Sequence, residues 1–336
     1  MGIRIGSIET ANRVFLAPMS GVTDEAFRRL AHEQGAGLVV SEMVASEELV
    51  NARPDMLRRA LGAHSLSPFV IQLAGREPVW MAEGVRIAEA MGADIIDINM
   101  GCPAREVTGG LSGSALMRDL DHAERLIAAT VGAAHVPITL KMRLGWDHHS
   151  LNAPELARRA ERQGIALVTV HGRTRCQFYG GKADWSAISK VREAISIPLV
   201  ANGDGISLAD ARAMLAASGA DGIMIGRGAY GRPWWPGVIA EGLDPGSGRT
   251  EPSLAEEMTL VTFHLETMLL ANGHQHGNRI ARKHLGWTVQ RMAERGYLSP
   301  EEARVWRNHL VSCNDNNTVQ QRLRDLYEIV QLRAAA

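Results

Sequence analysis

One grammar recurs eight times along this chain: a short run rich in Val, Ile and Leu, ending in small or polar residues, then a stretch with helical periodicity. The runs are "VFLAPM" from Val14, "LVVSEM" from Leu38, "FVIQLAG" from Phe69, "IIDINMGCP" from Ile95, "ITLKMRLG" from Ile138, "LVTVHGRT" from Leu167, "LVANGDG" from Leu199 and "GIMIGRG" from Gly222. Between them lie helical patterns such as "DEAFRRLAHEQG", "PVWMAEGVRIAEAMG" and "LADARAMLAASG". Gly35, Gly92, Gly164 and Gly219 stand where a glycine ends a helix before a buried parallel strand. Eight β-then-α units closing on themselves make a (β/α)8 TIM barrel, and such barrels take about 250 residues. An open doubly wound sheet is the alternative with the same grammar.

After Trp235 the pattern changes. "EGLDPGSGRTEPS" is a Gly-, Pro- and Ser-rich linker, and beyond it only helical spacing follows. The 336 residues therefore read as a barrel over 1–240 followed by a smaller all-α helical-bundle domain over 250–336. Within the latter, Ser299-Pro-Glu-Glu is a helix start, with a capping residue, a first-turn proline and acids at the positive end of the macrodipole.

In a barrel, functional groups sit where strands end. The run ends carry Pro18, Met19, Glu42, Gln72, Asn99, Cys102, Lys141, Arg143, His171, Arg173, Asn202, Asp204 and Arg227, a polar clustering that core packing does not require. "GRGAYG", from Gly226, fits GxGxxG but closes the eighth unit. It reads better as half of a backbone phosphate cradle, with "NGDG" after the seventh run as the other half. Lys141 at the end of an apolar strand needs an anionic or carbonyl partner, and Gln72 and His171 are suited to hydrogen-bonding ring edges. Such groups converging on one mouth point to a bound cofactor.

A net charge of -1 excludes a uniformly basic coat but not a local basic face. Cys102, Cys176 and Cys313 show no CxxC spacing, so neither a disulfide framework nor a zinc site is expected, and a reducing cytoplasmic setting fits. No signal-peptide pattern opens the sequence and no long apolar run appears, so a soluble protein without membrane contact or bound metal is expected.

"APMSGVTD", "INMGCP", "LKMRLGW", "VHGRTR", "ANGDG" and "IGRGAYGRPW", in that order, together with "RIARKHLGW" near the end, resemble the FMN-dependent tRNA-dihydrouridine synthases, most closely the bacterial type B group. The resemblance implies NADPH-driven, FMN-mediated reduction of particular tRNA uridines to 5,6-dihydrouridine; separately, a monomer is expected. It places Ala17, Pro18 and Met19 along the flavin. Gln72, Lys141 and His171 would contact its ring and ribityl region, and Asn202, Gly203, Asp204, Gly226 and Arg227 its phosphate end. Asn99 would position the uracil, and Cys102 would give the proton to C5 while hydride reaches C6 from flavin N5. A thiol with an ordinary pKa near 8.5 is protonated at neutral pH and can act as that acid.

The glycine-rich stretch "AREVTGGLSGS" after Pro103 departs from the more basic loop of many relatives, which leaves its closure over RNA open. In the helical region Arg279, Arg282, Lys283, Arg291 and Arg295 face a single acid, Glu294, between 277 and 295. With Arg173 from the barrel, Arg279, Arg282 and Lys283 are the candidate tRNA contacts. Two rival functions remain: an FMN barrel of the dihydroorotate dehydrogenase kind acting on a free pyrimidine, and a non-catalytic RNA-binding regulator. The first gives no role to a basic helical domain, and the intact Cys102, Lys141 and His171 stand against the second.

Overall fold

The computed structural model describes residues 1–60 and 66–335. All eight expected runs form parallel strands, and the sheet closes. The second run is split: Leu38–Val39 pairs with the first strand, Val14–Leu16, whereas Val44–Ala45 pairs with Val70–Ala74. Both edges of the nine-stranded order thus belong to one stretch of chain, and the Ser41 N–H donates to the Val70 carbonyl at 3.0 Å across the break. An open doubly wound sheet is excluded. The remaining strands are Ile95–Met100, Ile138–Arg143, Leu167–His171, Leu199–Asn202 and Gly222–Ile225.

Side chains alternate along each strand, and the alternation divides the barrel into layers. Phe15, Leu38, Val70, Ile95, Leu167, Val200 and Met224 form an apolar floor inside the barrel. A short hairpin of Arg4–Ile5 and Ile8–Glu9, too short to show a strand pattern, adds Ile3 and Ile5 to that floor. Two residues further along the strands the interior turns polar, with Gln72, Asp97, Thr139 and Thr169. Two residues beyond that come Asn99, Lys141 and His171, level with Asn202. The opposite strand face packs against the surrounding helices through residues such as Ile71, Ile96, Ile98, Leu140, Val168 and Ile223, which explains why the runs read as continuously apolar.

The expected helix-ending glycines adopt positive φ, as at Gly219 (φ +63), whose N–H reaches the Leu215 carbonyl. Beyond the barrel, helices Leu254–Asn272, His274–Glu294, Pro300–Val311 and Asn316–Ala335 surround a core of their own that includes Leu265, Leu285, Leu323 and Tyr327. Ser299 caps Pro300–Val311 with a reciprocal Ser299–Glu302 capping box. The helical region packs back on the barrel through the Leu254–Asn272 helix, which lies against Glu25–Glu33. Among the described residues no helix is long and apolar enough to cross a membrane.

Candidate active site

A cavity of about 820 Å³ opens at the C-terminal mouth of the barrel, within the usual range of roughly 300–1,000 Å³ for a small-molecule site. Its lining brings together Ala17, Pro18, Met19, Gln72, Asn99, Cys102, Lys141, His171, Asn202, Gly203, Asp204, Gly226 and Arg227. These residues come from seven of the eight strand ends, and the two-residue alternation turns them inward. The helical region supplies part of the wall, through Trp287, Gln290, Arg291 and Glu294, with Trp287 stacked on Tyr230 at 3.9 Å between ring centroids.

Cys102 sits on a heavily pinned loop. Asn99 Oδ1 accepts from the N–H groups of Gly101 (3.1 Å) and Cys102 (2.9 Å). The Cys102 carbonyl accepts from the Ser114 hydroxyl (2.8 Å) and N–H (3.1 Å), and Arg143 Nε donates to the Gly101 carbonyl at 2.8 Å. Burial pushes the Cys102 thiol above its ordinary pKa, against the Ala104 N–H and the charges of Arg143 and Lys141, so it is a protonated thiol at neutral pH. The glycine-rich stretch is ordered: it forms the short helix Arg105–Gly109 and a 3-10 turn over Gly113–Arg118. Gly113 has φ +59, and a Cβ there would lie 2.9 Å from the Cys102 carbonyl oxygen, so the loop closes against the thiol's own backbone.

Asn99 also organises the mouth around it. Its Nδ2 donates to Gln72 Oε1 at 2.7 Å while its Oδ1 holds the Cys102 loop. One amide hydrogen is left for a substrate, and most of the side chain's capacity fixes the thiol. Gln72 in turn donates to Asp97 at 2.7 Å, and Asp97 also accepts from the Thr139 hydroxyl at 2.6 Å. A buried hydrogen-bonded row therefore runs from the second interior layer to the Cys102 loop.

Across the mouth the site is cationic. Burial, reinforced by the charge of Arg143, pushes the Lys141 ammonium down to about 8, and its hydrogen bond is a long one to the neutral Asn202 Oδ1, 3.3 Å away. His171 lies well below its usual pKa because of burial and then the charges of Arg143, Lys141, Arg173 and Arg227, so its imidazole is neutral. Burial would raise the Asp204 carboxyl, but the hydrogen bond from Arg173, the Ala183 N–H and the charges of Arg173 and Arg227 hold it low.

Arg173 is not a surface contact for RNA. It is 1% exposed, its guanidinium grips Asp204 at 2.6 and 2.8 Å, and it donates to the carbonyls of Gly180 and Gly181. It fixes the loop after the seventh strand. The basic helix face also shrinks: Arg291 pairs with Glu294 and Arg295 with Glu257. Arg279 is exposed, Arg282 donates to Asn314 at 2.6 Å, and half-buried Lys283 turns toward Gly21 on the barrel. Arg143, Tyr230, Trp287 and Gln290 had no assigned role from sequence. The strand alternation pointed to Arg143, but nothing in the linear order announced that the helical region would roof the mouth. Neither Cys176 nor Cys313 lines the cavity.

A closed barrel whose polar strand ends and one placed thiol surround a deep cavity defines a ligand-dependent barrel enzyme. The comparisons say which: residues 15–331 match the family model described as dihydrouridine synthase (Dus). A probable tRNA-dihydrouridine synthase of Rhizobium leguminosarum bv. phaseoli is 58% identical over 282 residues, covering 84% of this chain and 86% of the relative. One from Rhodobacter capsulatus is 53% identical over 87% of this chain and 91% of its own length. The tRNA-dihydrouridine synthase B of Xanthomonas axonopodis pv. citri is 46% identical over 85% of this chain and 86% of its own. The chain belongs to the dihydrouridine synthase family, and its relatives include type B enzymes. Among solved structures, histamine dehydrogenase from Rhizobium sp. 4-9 (TM-score 0.55, 16% identity) shares the fold over 79% of this chain and 50% of its own. The amine oxidase HisD from Pseudomonas geniculata N1 (TM-score 0.56, 15% identity) does so over 77% and 52%.

Proposed function

We propose that this protein reduces uridine in tRNA to 5,6-dihydrouridine, with FMN held in the barrel mouth and NADPH as the reductant. The observation that carries the reading is a protonated, rigidly placed Cys102 thiol lining the same cavity as the half-buried Lys141 ammonium. The residues present suit a flavin mononucleotide. Lys141 has three donors and one neutral protein acceptor, so an electron-rich ring edge or carbonyl satisfies it. Gly226 bears no side chain where a Cβ would stand in ordinary contact with Met19 and Ala17, leaving the wall flat. Ala17, Pro18, Met19, Gln72, Lys141 and His171 would hold the ring and its chain. Asn202, Gly203, Asp204, Gly226 and Arg227 would hold the phosphate, with Arg227 tethered by Asp204 at 3.0 Å.

When bound, the flavin supplies the hydride that saturates C6 of the uracil. Cys102 holds the proton for C5; its raised pKa keeps the thiol loaded, and Asn99, Arg143 and Ser114 keep its loop still. Neutral His171 donates or accepts a hydrogen bond without adding charge. A uridine in folded tRNA must be unstacked to reach this depth. Arg279, Arg282 and Lys283 would track its phosphates, and the Tyr230–Trp287 stack at the rim offers an aromatic face to a base.

Because Trp287, Gln290 and Arg291 line the cavity, removing the residues beyond 250 would damage even an enzyme acting on a free pyrimidine, so truncation does not separate the two functions. A direct assay does. The purified protein is expected to be yellow, and with NADPH to restore dihydrouridine to tRNA from a strain lacking the gene while leaving free uracil and dihydroorotate untouched. A protein that cannot be loaded with FMN, or one that acts on the free bases and not on tRNA, would overturn the proposal.

A further inference from the structure

Away from the cavity, where the helical region meets the barrel, Asp24, His264 and His284 converge from three helices. Asp24 caps the helix Glu25–Glu33, His264 lies on Leu254–Asn272 and His284 on His274–Glu294. One potential ligand atom from each lies within 4.8 Å of the other two. Both histidines are 5% exposed. Neither ring nitrogen of His284 has a hydrogen-bond partner, and Asp24 Oδ2 is buried without one. An imidazole must carry a proton on at least one nitrogen, so an orphaned ring in such a place leaves a donor and an acceptor unmet.

We propose that Asp24, His264 and His284 form a binding site for one divalent transition ion of the zinc type, which clamps the helical region to the barrel. The donor set, two imidazoles and a carboxylate with a fourth position for water, is one that such ions take. His264 Nε2 lies 3.4 Å from Asp24 Oδ1, long for a hydrogen bond. It matches the edge of a tetrahedron with bonds of about 2.0–2.1 Å, which is roughly 3.3–3.4 Å. The third ligand, within 4.8 Å, needs a shift of little over an ångström, and a small cavity lined by both His264 and His284 lies beside it.

The donor chemistry suits the ion: Asp24 supplies a carboxylate with one unpartnered oxygen, and the two buried imidazoles supply ring nitrogens, those of His284 without any other partner. Around the cluster the cations Arg28 and Lys283 face the acids Glu25 and Glu42, which leaves the Asp24 carboxylate to offset part of the ion's charge. Phe27 and Trp287 pack against the imidazoles, shutting out bulk water. Because Trp287 also lines the active-site cavity, the clamp sits one side chain from the roof of that site.

The test uses the full-length protein, stripped with chelator and dialysed against Zn2+, with metal counted per chain and melting followed with and without the ion. His284→Phe keeps a ring in the aromatic cluster and removes both nitrogens; His264→Gln is the second variant, and Cys102→Ser controls for thiol binding. The expected result is one ion per chain in wild type and in Cys102→Ser, a rise of a few degrees in melting temperature on adding Zn2+, and loss of both in the two histidine variants. Co2+ in place of Zn2+ should give a spectrum without thiolate character. Wild type that binds no more metal than His284→Phe, or that melts at the same temperature with and without Zn2+, overturns the proposal. The readout is independent of tRNA chemistry.

Discussion

Substituting Asn99 by Ala should slow the uridine half of the reaction about 100-fold while leaving flavin reduction by NADPH within about twofold of wild type. The substitution deletes an acceptor shared by the Gly101 and Cys102 N–H groups and a donor to Gln72, on a residue only 8% exposed. Each buried polar group left unpaired costs about 1–3 kcal/mol. Water entering from the adjoining cavity recovers part of this, so a net loss of about 2–4 kcal/mol is expected, enough to let the Cys102 loop drift. A displacement of about 1 Å at a reacting group can cost 10²-fold in rate. The flavin and its reductant do not need the thiol, so the first half-reaction should be spared. Rapid mixing separates the halves: bleaching of the flavin by NADPH, then its reoxidation by tRNA. Equal slowing of both halves, or reoxidation by tRNA at the wild-type rate despite a lower melting temperature, would refute the claim that Asn99 acts by holding Cys102.

Two further outcomes follow from the geometry. Apoprotein should bind FMN with constant affinity below about pH 8 and up to about tenfold more weakly per pH unit above it. The sign comes from Lys141: its ammonium is charged below about 8, and above that binding must take up a proton. Titration calorimetry across pH 7–10 checks it, and Lys141→Met should bind weakly with no such break. Gly113→Ala should lower stability by at least about 1 kcal/mol and reduce turnover with flavin content unchanged, because the site needs φ +59 and the new Cβ meets the Cys102 carbonyl at 2.9 Å. Thermal melting and the flavin-to-protein absorbance ratio check it.

The barrel was legible because its strands are buried on both faces and punctuated by helix-ending glycines. Most of the mouth was legible for a simpler reason: Gln72, Asn99, Lys141, His171 and Asn202 stand at inward positions near strand ends, and a period of two aims them together. The break after Val39 was hidden, since the apolar run continues to Val40 and the Ser41 backbone and hydroxyl bridge the gap with hydrogen bonds that composition does not reveal. Arg173 misled because an arginine at a strand end reads as a free cation. Its partner Asp204 lies on the next strand's loop, 31 residues away, and only the folded barrel brings them to 2.6 Å. The roof formed by Trp287, Gln290 and Arg291 depends on how two units dock, and periodicity within either unit carries no information about that.

The most direct test of the central claim is a single-turnover comparison of wild type with Cys102→Ala, both loaded with flavin and reduced before mixing with tRNA that lacks dihydrouridine. If the buried thiol is the acid for C5, the variant accepts electrons from NADPH normally and forms dihydrouridine about 10²–10⁴-fold more slowly. Dihydrouridine forming in Cys102→Ala at the wild-type rate would contradict the account.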